Sequence, residues 1–163
     1  MKTLFTLVLF CLFGFPLLAQ YEELLTPSLS KHSISFDVLM QMPIYGDVTG
    51  APSVNYEYAF LSRWRTRLGM GSSFHNDNLF IPFGLHYLTG QKAHHLDLSA
   101  GGYMLASWYE RPEGRAFSTH VYPYVGVGYR YQKSDQAFFF KIQPVVLVPI
   151  PAPLLSLSLG WTF

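Results

Sequence analysis

The sequence predicts an all-β protein, an eight-stranded antiparallel up-and-down transmembrane β-barrel following a cleaved signal peptide. Three observations predict it. The first 20 residues have the layout of an export signal, no later apolar run is long enough for a spanning helix, and the remainder alternates apolar and polar residues. A period of two is the period of a strand.

The export signal comes first in the chain. Met1 and Lys2 form a short positive head, residues 4–18 are almost unbroken apolar sequence, and Ala19-Gln20 follows. A run of about 15 residues is short for a spanning helix, which needs roughly 20. Cleavage is expected after Ala19 or Gln20, giving a signal at 1–20 and a barrel domain at 21–163. Cys11 lies within the apolar run behind Leu9 and Phe10, without the small residues of a lipoprotein site. It is the only cysteine, so the mature chain has neither a disulfide nor a thiolate for a metal.

Composition narrows the rest. The chain carries 11 Lys+Arg against 10 Asp+Glu, and loss of Lys2 leaves 10 against 10. That balance excludes the basic surface nucleic acids select. With 14 Phe, 11 Tyr and 3 Trp, the chain is apolar and aromatic. An exported apolar chain without spanning helices has one other way to satisfy its backbone in a bilayer, a closed barrel.

Eight segments carry the alternation. At 33–40, Ile34, Phe36, Val38 and Met40 oppose Ser35 and Asp37; at 54–60, Val54, Tyr56, Tyr58 and Phe60 oppose Asn55, Glu57 and Ala59. At 64–74, Trp64, Thr66, Leu68 and Met70 oppose Arg65, Arg67, Gly69 and Gly71; at 81–89, Ile81, Phe83, Leu85 and Tyr87 oppose Gly84 and His86. At 95–105, Leu96, Leu98, Ala100 and Met104 oppose Asp97, Ser99, Gly101 and Tyr103. At 121–132, Val121, Val125, Val127, Tyr129 and Tyr131 oppose Tyr122, Tyr124, Gly126, Gly128 and Arg130. At 138–148, Phe138, Phe140 and Ile142 oppose Lys141 and Gln143. The last segment, 155–163, sets Leu155, Leu157, Leu159, Trp161 and Phe163 against Ser156, Ser158, Gly160 and Thr162. These lengths match the 9 to 11 residues of a tilted membrane strand. Pro123 and Pro144 are misfits, since proline cannot donate to a ladder; each calls for a bulge or a place near a rim.

The links alternate as an up-and-down barrel requires. Those at 61–63, 90–94 and 133–137 are compact, as periplasmic turns are. Those at 41–53 and 106–120 are longer and carry Pro, Gly and charge, while 75–80 and 149–154 are shorter but loop-like in composition. The long pair is expected to be extracellular and to offer ligand contacts.

Register adds a sharper expectation. Keeping the apolar faces of the second and third strands together puts Glu57 opposite Arg65 or Arg67, and a hairpin around residues 90–92 can put His86 beside Asp97. The strand charges Asp37, Glu57, Arg65, Arg67, Asp97, Arg130 and Lys141, with His86, all fall on the non-apolar face. They form an expected lumen network, because a charge facing the lipid midplane costs about 2–4 kcal/mol. Trp64, Tyr87, Tyr129, Tyr131, Trp161 and Phe163 lie near the ends of apolar faces, where interfacial rings settle. Faces alone do not name their solvents, and a soluble lipocalin-type barrel would turn the same two faces inside out.

The stretches IPFGLHY at 81–87, HLDLSAGG at 95–102, YVGVGYR at 124–130 and LSLSLGWTF at 155–163 carry a resemblance. The chain resembles the small eight-stranded outer-membrane barrels of the OmpX and OmpA-transmembrane-domain type, in particular outer-membrane β-barrel proteins of gram-negative bacteria whose signals end in Ala-Gln. The resemblance covers nearly all of the mature chain and rests on architectural motifs. It implies residence in outer-membrane lipid and insertion by the barrel-assembly machinery through the C-terminal strand.

For activity the residues point first to a side-chain-filled lumen with a structural or surface-interaction role for the loops, without enzyme activity, cofactor or metal. A narrow ion or solute conduit lined by the same charges is one alternative. A lipid A-modifying enzyme is another; it would draw on His95, Asp97 and Ser99, successive same-face residues roughly 6.5–7 Å apart, with His86 nearby. A soluble periplasmic carrier is the third.

Overall fold

The computed structural model describes residues 29–41, 50–72, 78–91, 93–111, 114–148 and 153–163. The signal expected at 1–20 lies outside them. The described residues contain eight strands: β1 (His32–Gln41), β2 (Gly50–Ala59), β3 (Trp64–Ser72), β4 (Leu79–Gln91), β5 (His94–Arg111), β6 (Gly114–Gln132), β7 (Phe138–Leu147) and β8 (Pro153–Thr162). Each pairs antiparallel with its sequence neighbours, and β1 pairs with β8 to close the barrel. A ten-residue strand rises about 33 Å, so at a usual tilt it spans about 25 Å, the height of an apolar membrane band.

The alternation of the sequence becomes an inversion of polarity. Leu68 and Met70 on the outer face are 61% and 63% exposed, whereas Arg65, His86, Arg130 and Lys141 on the inner face are at 0%. Phe36, Val54, Val127, Leu159 and Trp161 continue the outer belt. A soluble monomer seldom exposes so continuous an apolar surface. The polarity is that of a transmembrane barrel, which removes the inside-out carrier.

One end of the barrel holds the compact links, including 60–63 and 133–137. At the opposite end β1, β3, β5 and β7 finish and β2, β4, β6 and β8 begin. The strand bounds match the sequence expectation with one large exception. Residues 106–120, expected as an extracellular loop, are mostly strand: the β5–β6 ladder continues from Ala106 opposite Thr119 to Arg111 opposite Gly114. The pairing of β4 with β5 stops at Leu79 opposite Ala106, and the ladder of β6 with β7 stops at Tyr124 opposite Leu147. Past those points the hairpin runs on as a ribbon for about 17 Å. The other loop expectation, 41–53, falls largely outside the described residues; Gln41 ends β1, and residues 50–53 open β2.

The prolines need no bulge. In β6–β7 the register is the same before and after Pro144, and the ladder lapses only at Val127 and Gly128, across from it. Pro82 interrupts β3–β4 in the same manner, with pairing lost at Gly69 and Met70 and resumed at Gly71. A missing N–H removes bonds on one side of the strand without shifting register. Pro123 lies at the end of its ladder, where its carbonyl accepts from Val148 N–H (2.8 Å).

Inward glycines make room for large neighbours. A Cβ on Gly160 would lie 2.3 Å from the Phe139 ring and 2.7 Å from the Ile34 carbonyl, and one on Gly84 would lie 2.7 Å from the Tyr124 hydroxyl. Gly160→Ala is therefore expected to destabilise the barrel by about 1–3 kcal/mol, the usual cost of overpacking. Urea titration of the folded protein in bilayers measures this, and an unchanged midpoint would contradict the packing role.

Candidate functional site: the filled lumen and the long hairpin

The side chains of the lumen form two layers. In the half toward the compact turns sits a polar network. Arg130 Nη1 donates to Glu57 Oε2 (2.6 Å), its Nε donates to Gln132 Oε1 (2.8 Å), and Ser33 Oγ donates to the same Glu57 oxygen (3.3 Å). Lys141 Nζ lies 3.8 Å from Glu57 Oε1 and 3.7 Å from Asp97 Oδ2. His86 Nδ1–H donates to Asp97 Oδ1 (2.8 Å). Glu57, Arg130, Lys141, Asp97 and His86 thus make one connected chain across β2, β6, β7, β5 and β4. The Arg130 guanidinium also covers the Phe139 ring at 3.8 Å, a cation–π contact strengthened by burial.

Asp37 and Arg67 form a separate buried pair. Arg67 Nε donates to Asn55 Oδ1 (3.1 Å), and Asn55 Nδ2 donates to Ser53 Oγ (3.0 Å). Of the two registers the sequence allowed, the backbone takes Glu57 opposite Arg67. The side chains nevertheless pair elsewhere, Glu57 with Arg130 and Arg67 with Asp37. A closed barrel brings strands from its far side within reach of a long side chain, and strand register alone cannot choose among them. His86 meets Asp97 although its register partner on β5 is Ser99.

Arg65 stands apart. Its Nη2 donates to the Ser30 carbonyl (3.0 Å), and among the described residues no carboxylate lies within ion-pair distance of it. All eight expected lumen residues are therefore buried, but they fall into a chain of five, a pair and a single cation.

The second layer, toward the long links, is apolar. Phe80 stacks on Tyr103 (5.1 Å between centroids, 22° between planes), and Tyr103 stacks on Tyr124 (4.5 Å, 19°). Val145 and Leu154 complete the buried set, with Leu39, Ala51, Leu105 and Leu147 packed against it. Sequence reasoning placed Tyr103 and Tyr124 inward but missed this layer, and missed Phe80 and Phe139. The signal was available in parity: Phe139 shares the inward parity of Lys141 and Gln143, and Phe80 that of Gly84 and His86.

The expected interface aromatics gather at one rim. Trp64 and Tyr87 are in ring contact (5.0 Å) and Trp161 meets Phe138 edge-on (6.0 Å), while Phe163 stacks on His32 (6.0 Å). Tyr129 accepts or donates a 2.7 Å bond with His94, which Tyr131 approaches edge-on at 5.5 Å. All six lie toward the compact turns. At the other rim the outward positions include Met40, Met70, Met104 and Val121.

The lumen offers no arrangement for acyl transfer among His95, Asp97 and Ser99. Ser99 Oγ accepts from the Gln143 amide (2.9 Å), which is no base, and Asp97 is bound to His86. A nucleophile needs a base within reach and a third group to orient it.

No protein-family model matches the chain, and no curated protein matches it. Solved structures do. The N-terminal β-barrel domain of Pseudomonas aeruginosa OprF is similar with a TM-score of 0.61 at 14% identity, over 82% of this chain and 99% of that one. The chain has the fold of a small transmembrane β-barrel. Ail, the attachment invasion locus protein of Yersinia pestis, is similar with a TM-score of 0.51 at 12% identity, over 83% of this chain and 99% of that one. A de novo designed transmembrane β-barrel reaches 0.54 at 12% identity, over 80% and 95%. At such identities the likeness lies in backbone architecture.

Glu57 links Arg130 and Lys141, so its removal tests the network. Glu57→Gln is expected to cost about 3–5 kcal/mol, because Arg130 and Lys141 are left buried beside a neutral amide. Adding Arg130→Met is expected to recover about half of that loss, since it removes the orphaned charge. Equilibrium urea unfolding of the single and double variants checks both values.

Proposed function

We propose that this protein is an outer-membrane β-barrel of a gram-negative bacterium, closed to solutes, that acts at the cell surface through its long-link end. The observation carrying this reading is the double closure of the lumen: a stacked Phe80–Tyr103–Tyr124 layer above a buried ion-pair chain. An eight-stranded barrel is just wide enough for its own side chains to fill it. The inward glycines that would leave space in a conduit are occupied by the neighbouring Phe139, Tyr124 and Gln143 side chains. A structural or surface role then fits better than conduction or lipid A chemistry.

The exported chain would reach the outer membrane through its signal at 1–20, and the barrel-assembly machinery would engage β8. The rim bearing Trp64, Tyr87, Tyr129, Tyr131, Trp161 and Phe163 would sit at the periplasmic interface, where amphipathic rings settle. That orientation directs the β5–β6 ribbon outward from the cell. The described β6–β7 pairing ends at Tyr124 opposite Leu147, with one further bond from Val148 N–H to the Pro123 carbonyl. The ribbon therefore extends past the sheet as a two-stranded hairpin edge of the kind an extended segment of another protein recognises. Ail has been solved with the heparin analogue sucrose octasulfate. Here the ribbon residues Glu110, Arg111 and Arg115 mix both charge signs in the sequence, which favours a protein partner over a polysulfate.

The test combines fractionation with electrophysiology. The protein is expected in outer membranes as a band whose gel mobility changes on boiling, and in planar bilayers it is expected to give no unitary conductance steps. A soluble periplasmic protein would overturn the location, and reproducible steps would establish the conduit.

A further inference from the structure

Among the described residues the lumen contains more positive than negative charge. Arg65, Arg67, Arg130 and Lys141 face Asp37, Glu57 and Asp97, four cations against three carboxylates, all buried. Each carboxylate is already engaged: Asp37 by Arg67, Glu57 by Arg130 and Lys141, Asp97 by His86 and Lys141. The cation left over is Arg65, and it is 0% exposed.

Among the described residues its surroundings supply no direct carboxylate contact to hold it. The register partners of Arg65 are Ala59 on β2 and His86 on β4. One protein acceptor is within reach, the Ser30 carbonyl at 3.0 Å from Nη2, and both Nε and Nη1 are buried without a hydrogen-bond partner. Those two nitrogens carry three of the five N–H donors of a guanidinium. An uncompensated buried charge of this kind is strongly destabilising, and water would satisfy the donors without cancelling the charge.

We propose that Arg65 binds a small monovalent inorganic anion of the halide class inside the lumen, through the N–H groups of Nε and Nη1. The charge excess is one, so a monovalent ion balances it and a phosphate or sulfate would overshoot. Complete burial demands that the ion shed its water, which favours a weakly hydrated halide such as bromide over fluoride. The anion completes the lumen's charge balance and anchors β3 to the segment at Ser30. The proposal stands on the buried charge set, independently of the surface role of the hairpin, and a conducting barrel would leave it standing.

The test uses the folded full-length barrel in zwitterionic detergent at constant ionic strength, in sodium bromide or sodium gluconate. Bromide is expected to raise the temperature at which the compact gel band is lost by about 2–4 °C, saturably, as a ligand of the folded state does. Arg65→Met is expected to abolish the difference between the salts. Equal midpoints in the two salts, or a bromide effect undiminished in Arg65→Met, would overturn the assignment. Because that variant can fail to fold, wild-type crystals grown in bromide give a second reading. An anomalous peak within hydrogen-bond distance of Arg65 Nε or Nη1 supports the site, and its absence there rejects it.

Discussion

The structure depends on the hydrogen-bonded seam between β1 and β8. In lipid an unpaired backbone group has no water to turn to, so a sheet that left an edge within the bilayer would be untenable. Nine residue pairs, from Ser33 with Thr162 to Gln41 with Leu154, close that edge. Closure then dictates the rest: it creates an enclosed lumen, assigns every second side chain to it, and turns the others to the hydrocarbon. The outer face is consequently Ile, Leu, Val, Phe and Met. The inner face collects Arg, Lys, Asp, Glu and Gln, the polar residues that would be costly outside.

Closure has a cost inside the barrel. Seven buried Arg, Lys, Asp and Glu side chains share the closed lumen, and their tolerance rests on mutual compensation. Asp37 with Arg67 and the chain through Glu57, Lys141 and Asp97 meet that need by direct pairing. The aromatic layer of Phe80, Tyr103 and Tyr124 covers the opposite half, so the charges lie beneath an apolar lid rather than along an open path. Where the ladder itself fails, at Pro82 and Pro144, it does so for two residues and resumes in the same register. The fold absorbs the missing donors without altering which side chains face inward.

Much of this was legible in the sequence, because lipid enforces alternation strictly. Strand number, polarity of faces, the compact turns and the identity of the buried charges all follow from residues such as Asp37, Glu57 and Lys141 sharing one parity. The β5–β6 ribbon was hidden for the same physical reason. Past Ala106 both faces of the hairpin can meet water, alternation is no longer imposed, and Pro112, Glu113 and Gly114 make the whole stretch resemble a loop. The partners of Glu57 and Arg67 were hidden too, since contact across a closed lumen depends on barrel geometry rather than hairpin register. The apolar layer was obscured by treating the inward parity as polar throughout, although only the half toward the compact turns carries the charge network.

The parts converge on a cylinder plugged by its own side chains. Apart from Arg65, the charged lumen residues are committed to one another, and under the proposed surface role recognition would fall to the segments beyond the band, above all the ribbon. The central claim is that the apolar exterior is solvated by lipid. Val127, at 55% exposure on the outer face near the middle of the β6 stretch paired with β7, tests it most directly through the free energy of folding of Val127→Lys into phospholipid vesicles. Lipid contact predicts a loss of about 2–4 kcal/mol relative to wild type, the cost of a lysine near the bilayer midplane. A change within about 0.5 kcal/mol, as for an ordinary water-exposed surface position, would contradict it.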